Sequence, residues 1–392
     1  MTIEVSQRLE GIGEYYFSQK LREIEALNKA GKQIINLGIG SPDLPPHADV
    51  IAALHTEAAK PTNHAYQSYK GNSQFRNAIA SFYNNWYNVQ LDPETEILPL
   101  IGSKEGIMHV CMTYLNKGDI ALIPNPGYPT YKSAVALAGG LSVNYNLKEE
   151  NNWEPDYEEL ASIIKINKET TGASPIKLMW LNYPHMPTGR QASVQLFKKL
   201  VQFAADNNIL LCHDNPYSFI LNKQPLSILS VPGAKEVAIE LNSLSKASNM
   251  AGWRVGFLSG AKQRVDEILR FKSNMDSGMF LPVQLAATKA LLLGKDWYDG
   301  LNGHYAKRRE LVYKILEAVR CTFDKSQGGM FIWAKVSGGY ADGYKLSDEV
   351  LYNKNVFITP GGIFGSNGNG YIRVSLCANE MVLQNALDRI NA

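Results

Sequence analysis

Five short apolar runs, each followed by a stretch of helical pattern, constrain this chain more than any other feature. They are E96-I-L-P-L-I, D119-I-A-L-I, K177-L-M-W-L, I209-L-L-C-H and V237-A-I-E-L. None alternates strictly between apolar and polar residues, which is the pattern of strands covered on both faces rather than strands with one face in water. Strand and helix in repeated succession predict a wound α/β core with a mostly parallel sheet. In such sheets ligands bind beyond the carboxyl ends of the strands, so the residues closing each run are the first candidates for chemistry. Past Pro282 the rhythm changes to one long helical pattern from about Trp297 to Val319, then turn-rich strands around G328-G-M-F-I-W and G370-Y-I-R-V-S-L. This predicts a smaller α+β domain. Its companion is the first stretch of the chain, because Pro42, Pro45 and Pro46 interrupt regular structure before the core begins. The expected division is a large domain over 46–285 and a small domain built from 1–45 and 286–392, since 392 residues exceed what one core usually serves.

A formal charge of +2, with no run of Lys and Arg interleaved with aromatics, makes nucleic acid a poor partner. Cys111, Cys212, Cys321 and Cys377 lie far apart with no C-x-x-C pair and no histidine at zinc-ligand spacing, so neither a disulfide framework nor a metal site is expected. The N-terminus lacks a basic flank followed by an apolar run, and no long uninterrupted apolar segment occurs. A cytoplasmic location with no membrane contact is the resulting expectation.

The segment S243-L-S-K-A-S-N-M-A-G-W-R-V-G-F crowds hydroxyls, one lysine, small residues and an arginine just after a buried run. A lysine held among small groups near another cation loses its proton readily and attacks a carbonyl, forming a Schiff base, and Lys246 fits that role. On its own Lys246 would more often be a surface lysine; the whole set argues otherwise. Ser243 and Arg254 offer a hydroxyl and a guanidinium fork suited to phosphate oxygens. A second anion cradle is I101-G-S-K-E-G, where the backbone N–H groups of Gly102, Ser103 and Lys104 open a helix. If the carbonyl belongs to pyridoxal phosphate, Asp214, which closes a run, can pair with the protonated nitrogen of its pyridine ring. Tyr217 can reach the ring's oxygen, and Tyr128, in N-P-G-Y-P-T-Y, can stack on its face. Taken singly, each of these aromatics is more often packing, and a strand-end aspartate is often a helix cap.

In this order the segments resemble the class I/II aminotransferases of fold type I, which depend on pyridoxal 5'-phosphate, from N36-L-G-I-G-S-P-D to Y371-I-R-V-S-L. The resemblance implies a fold-type I transferase: a large domain with a mostly parallel central sheet and a smaller α+β domain. It implies amino-group transfer between an L-amino acid and a 2-oxo acid, with the cofactor held as a Schiff base on Lys246. Asp214 would pair with the pyridine nitrogen, Tyr217 with the ring oxygen, and Tyr128 would stack. Phosphate contacts would come from Gly102, Ser103, Lys104, Ser243 and Arg254, with Tyr66 reaching the neighbouring subunit's phosphate in a homodimer. Arg373 would clamp the substrate carboxylate beside Gly40. One departure stands out: the family's N-P-T-G is M-P-T-G here, placing Met186 where an asparagine donates to the ring oxygen. Methionine cannot donate, so a raised pKa of the lysine-bound cofactor is expected, with activity retained.

The motifs leave open a carbon–sulfur β-lyase built on the same cofactor. A cofactor-sensing DNA-binding regulator finds little room, since only about forty residues precede the first core strand. G38-I-G-S-P-D lacks the third glycine of a nicotinamide-binding turn. The amino donor is not legible; Tyr15, Tyr16 and Phe17 suit equally a hydrophobic lid over the substrate or a dimer contact.

Overall fold

The computed structural model describes residues 3–10, 12–14, 16–170, 172, 174–337 and 339–392, so Tyr15 lies outside the described residues. A short strand, β1 (Ile35–Asn36), precedes a seven-stranded sheet. That sheet comprises β2 (Ile97–Leu100), β3 (Ile120–Asn125), β4 (Leu141–Asn146), β5 (Ile176–Leu181), β6 (Leu210–Asp214), β7 (Ala238–Ser243) and β8 (Gly256–Gly260). Across the sheet the order is β2-β8-β7-β6-β5-β3-β4. The strands β4, β3, β5, β6 and β7 run parallel, and β8 is antiparallel to both its neighbours, β7 and β2.

Every residue of β2, β6, β7 and β8 is buried, and in the first three this burial is why the sequence reads as a run without strict polar alternation. Two strands escape the sequence reading. In β4 only Tyr145 is buried, because this strand forms one edge of the sheet and its L-S-V-N-Y-N lacks an apolar run. β8 begins and ends in glycine: a side chain at Gly256 would meet the Ser103 nitrogen at 2.7 Å, and one at Gly260 would meet Ile239 at 2.9 Å.

Helices cover both faces. The labelled helices are α1 (Tyr16–Lys29), α2 (Ala48–Ala58), α3 (Ser73–Tyr87), α4 (Ser103–Tyr114) and α5 (Pro129–Leu137). On one face, Ile107 and Val110 of α4 and Tyr131 and Val135 of α5 pack on Leu98, Leu178 and Leu241 of the sheet. On the other, Phe75, Ile79 and Phe82 of α3 join Leu196, Phe197 and Leu200 of helix Val194–Asn207. The helix ends obey local chemistry: Asn72 caps α3 by accepting from the Gln74 N–H, and Asn88 closes it in the left-handed region at φ 55°.

Downstream, the helix Lys295–Ala318 leads into β9 (Thr322–Phe323), β10 (Phe331–Lys335), β11 (Val356–Phe357), β12 (Thr359–Pro360) and β13 (Tyr371–Ser375). Four of these form an antiparallel sheet in the order β12-β13-β10-β9. The fifth, β11, pairs in parallel with β1, Ile35 beside Val356 and Asn36 beside Phe357, tying the start of the chain to its end. All four cysteines are buried and free of disulfides. No helix among the described residues is long and apolar enough to cross a membrane.

Candidate active site

The carboxyl ends of β5, β6 and β7 deliver Asn182, Asp214 and Ser243 to one rim of the main sheet. Because β8 is antiparallel, its first residue pairs with the last of β7 and the last of β2, so Arg254 and the Gly102–Lys104 turn return to the same rim. The N-terminal segment and the second sheet close the space from above. A cavity of about 550 Å³ results, lined by Gly40, Ser103, Lys104, Tyr128, Asp214, Tyr217, Ser243, Lys246, Arg254 and Arg373 among others. These residues, singled out from the sequence, come together in three dimensions. Gly102 sits directly behind the lining, while Tyr66 is 91% exposed and stands apart from it.

One end of the cavity is built for an anion. No side chain caps α4, so its first N–H groups have no helical partner. Gly102 caps it at φ 86°, ψ 155°, a conformation essentially reserved for glycine, and a Cβ there would lie 2.3 Å from Arg254 Nη2. Only glycine lets the guanidinium lie over the helix terminus. Arg254 itself holds a left-handed backbone at φ 56° and donates to the Ala251 carbonyl at 3.0 Å. Partial desolvation lowers the pKa of Lys104, and the Arg254 charge adds to that effect. Ser243 Oγ accepts the Ser245 N–H at 3.1 Å, which leaves its own O–H to donate.

At the centre, Lys246 Nζ donates to the Gly40 carbonyl at 2.6 Å and lies 6.0 Å from the centre of the Tyr217 ring. Burial pushes its pKa below the ordinary lysine value; Cys377 and Asp214 oppose this, and the charges of Arg373 and Arg254 reinforce it. A lysine so placed is a candidate nucleophile. Asp214 is 4% exposed, its Oδ2 accepting from the Tyr131 hydroxyl at 3.0 Å and its buried Oδ1 lacking a hydrogen-bond partner. Burial raises this carboxyl to about 6, with Tyr131, His213 and Lys246 pulling the other way. Burial also raises the phenols of Tyr217 and Tyr128, so both are neutral donors.

At the far end, Arg373 Nη2 donates to the Gly38 carbonyl at 2.7 Å and Nη1 lies 3.2 Å from Met186 Sδ. The guanidinium carbon sits 3.9 Å from the Phe331 ring centre and 4.7 Å from that of Phe364. Phe17 lines the same end, 5.6 Å away, which places one of the three N-terminal aromatics over the cavity; Tyr16 is only half-buried beside it. Met186 supplies an acceptor to the arginine and no donor.

The sequence reading missed several supporting residues. Tyr131 holds Asp214, and Asn182 donates to the Asp214 carbonyl at 2.6 Å while accepting the Met186 N–H at 2.7 Å. Tyr131 closes the N-P-G-Y-P-T-Y motif, and Asn182 stands four residues before the M-P-T-G motif; both motifs carry the available signal. Phe331 and Phe364 carried none, since only the fold brings them to Arg373.

The pocket fits pyridoxal phosphate on its own terms: a half-buried amine, a carboxylate oxygen without a partner, and an uncapped helix terminus under two cations. Comparison with known proteins agrees. Residues 32–390 match the family described as aminotransferase class I and II. The LL-diaminopimelate aminotransferases of Natranaerobius thermophilus and Aquifex aeolicus are each 38% identical over 99% of this chain, covering 99% and 98% of their own lengths. Substrate-bound BacF from Bacillus subtilis superposes with a TM-score of 0.92 at 34% identity, covering 100% of this chain and 98% of that one. An aminotransferase from Staphylococcus aureus gives 0.87 at 31%, covering 99% and 98%. The curated relatives carry aminotransferase names, which favours transamination over the β-lyase alternative. By its motifs, its fold and this kinship, the chain belongs to the class I and II aminotransferases, enzymes that use pyridoxal phosphate to move amino groups between amino acids and 2-oxo acids.

Proposed function

We propose that Lys246 is the catalytic amine of this aminotransferase, that Asp214 and Tyr217 hold the cofactor ring, and that Arg373 holds the substrate carboxylate. The observation that carries the reading is the Lys246 amine, which lines one cavity with the unpartnered Oδ1 of Asp214 and the Arg373 guanidinium. When bound, pyridoxal phosphate supplies an aldehyde for amine exchange and a ring that accepts electrons when the amino acid loses its α-proton. Asp214 Oδ1 would accept the ring N–H, the Tyr217 hydroxyl would donate to the ring oxygen, and Tyr128 would face the ring. The backbone N–H groups of Gly102, Ser103 and Lys104, the Ser243 hydroxyl and the Arg254 fork would hold the phosphate. Lys246 Nζ, its pKa lowered by burial, takes the α-proton from the substrate and returns it. Gly40, whose carbonyl faces that amine, borders the substrate. The donor leaves as a 2-oxo acid before the acceptor enters, so both half-reactions use one site.

The same reading divides the chain into a large domain, 46–285, and a small domain from 1–45 and 286–392. It makes the enzyme a cytoplasmic homodimer, with the exposed Tyr66 serving the partner's phosphate site. LL-diaminopimelate, the substrate in the relatives' names, is the first donor to assay. Phe17, Ile39, Phe331 and Phe364 on the lining favour a second class, donors with apolar side chains.

The test is a spectrum of the cofactor-loaded protein before and after single donors, for the wild type and Lys246→Ala. The wild type should show a borohydride-reducible link and convert with its true donor. Lys246→Ala should retain cofactor without that link and lose turnover by orders of magnitude. A variant with wild-type rate removes Lys246 from the role.

A further inference from the structure

Strand β6 places His213 and Asp214 on opposite faces of the sheet, as consecutive strand residues must be. Asp214 faces the cofactor cavity. His213 faces α3, helix Val194–Asn207 and β7, where neither it nor Glu240 has any exposure. The His213 ring packs edge-on against Phe197 with centres 5.0 Å apart. Its Nδ1 lies 2.8 Å from Glu240 Oε2 and its Nε2 lies 3.0 Å from the Tyr183 carbonyl oxygen. Both neighbours are oxygens. A backbone carbonyl only accepts, so Nε2 must carry a proton.

The proton between Nδ1 and Oε2 decides the charge of the pair. Glu240 already receives the Tyr83 hydroxyl at 2.7 Å on Oε1 and the Ile228 N–H at 3.0 Å on Oε2. Two donors favour the carboxylate form of Glu240, which leaves the shared proton on the imidazole Nδ1. Among the groups facing this pair, Tyr83 and Tyr87 are held neutral by burial and by the Glu240 charge. Asp214, one residue away, feels His213 as a cation that lowers its pKa.

We propose that His213 is a positioning residue: a doubly protonated imidazolium, paired with Glu240, whose charge holds the neighbouring Asp214 in the carboxylate form that the cofactor ring requires. This rests on the reading that Asp214 pairs with the ring nitrogen. The device places the cation behind the sheet, where it acts on Asp214 through the strand without competing for the oxygen that faces the cavity. A neutral histidine hydrogen-bonded to a protonated Glu240 is the arrangement it excludes.

The test uses holoenzyme with 15N-labelled histidine, together with cofactor-free protein carrying 13C-labelled aspartate. At about pH 8 one histidine should show protons on both ring nitrogens, and that signal should vanish in His213→Gln. In Glu240→Gln, which keeps the shape of the pair and removes its anion, His213 should lose one proton. In both variants the Asp214 carboxyl should titrate about one unit higher than in the wild type, the size expected of a neighbouring charge in a buried site. A wild-type His213 with one bare nitrogen overturns the proposal, and so does an Asp214 titration unmoved in Glu240→Gln. If adding cofactor leaves the Asp214 carboxyl unchanged while the His213 signal stands, the ring-nitrogen reading fails instead.

Discussion

Replacing Asp214 by asparagine should stabilise the cofactor-free protein at neutral pH and weaken its hold on pyridoxal phosphate. The carboxyl is buried, and one oxygen has the Tyr131 hydroxyl at 3.0 Å while the other has no partner. Burial, partly offset by Tyr131, His213 and Lys246, raises its pKa from 3.8 to about 6 in the folded chain. Between those two values the native state binds more protons than the unfolded state, so stability falls as pH rises. The favourable contribution is complete below the unfolded pKa and is lost through the folded one. At about 1.4 kcal/mol per unit, holding the ionised carboxylate costs the cofactor-free protein about 3 kcal/mol above that window. The amide of the variant carries no charge and avoids the cost. Thermal unfolding at fixed protein concentration should show wild type and Asp214→Asn converging at about pH 4 and diverging in favour of the variant by about pH 8. With saturating cofactor the variant's advantage should shrink towards zero, because a charge-assisted hydrogen bond of about 1.5–3 kcal/mol is lost, or roughly tenfold to a hundredfold in Kd. A difference that does not vary with pH, or a variant less stable than wild type at about pH 8 without cofactor, would refute the reasoning.

Three further outcomes follow from the same site. Gly102→Ala forces a Cβ to within 2.3 Å of Arg254 Nη2 from a glycine-only backbone, so it should cost about 1–3 kcal/mol in stability and lower cofactor affinity; equilibrium dialysis with unchanged affinity would contradict it. Met186→Asn restores a donor near the ring oxygen, so the absorbance titration of the lysine-bound cofactor should move down by about half to one unit; an unmoved midpoint defeats the idea. Arg373→Ala should raise KM by about thirtyfold or more, equivalent to about 2–5 kcal/mol, with kcat much less affected; steady-state kinetics showing an unchanged KM would count against the carboxylate clamp.

The sheet was legible where burial on both faces made strands into plain apolar runs, and the site was legible where a strand ended. Lys246, Asp214 and Arg254 announced themselves because lysine, aspartate and arginine seldom crowd the ends of buried strands without chemistry to perform. What stayed hidden was set by distance in the chain. Tyr131 meets Asp214 across 83 residues, and Glu240 meets Tyr83 across 157. Such pairs leave no periodic trace. Edge strand β4 was hidden for another reason: a strand exposed along most of its length has no need of the apolar pattern that reveals its neighbours. Phe17 was noticed as an aromatic, but its place over Arg373 depends on how the first helix lies against the second sheet.

The pairing of β1 with β11 has a consequence for how the enzyme comes into being. Gly38 and Gly40 become part of the site only when Arg373 and Lys246 arrive, contacts that span 335 and 206 residues. Loops of that length close slowly, because their entropy is lost before any contact repays it. During synthesis the segment carrying Ile35 and Asn36 leaves the ribosome early and must wait for Val356 and Phe357 before its backbone finds a partner. The main sheet can assemble in the meantime. Catalytic competence is therefore among the last properties the growing chain acquires, and a chain stopped short of β11 retains the lysine without the pocket that gives it purpose.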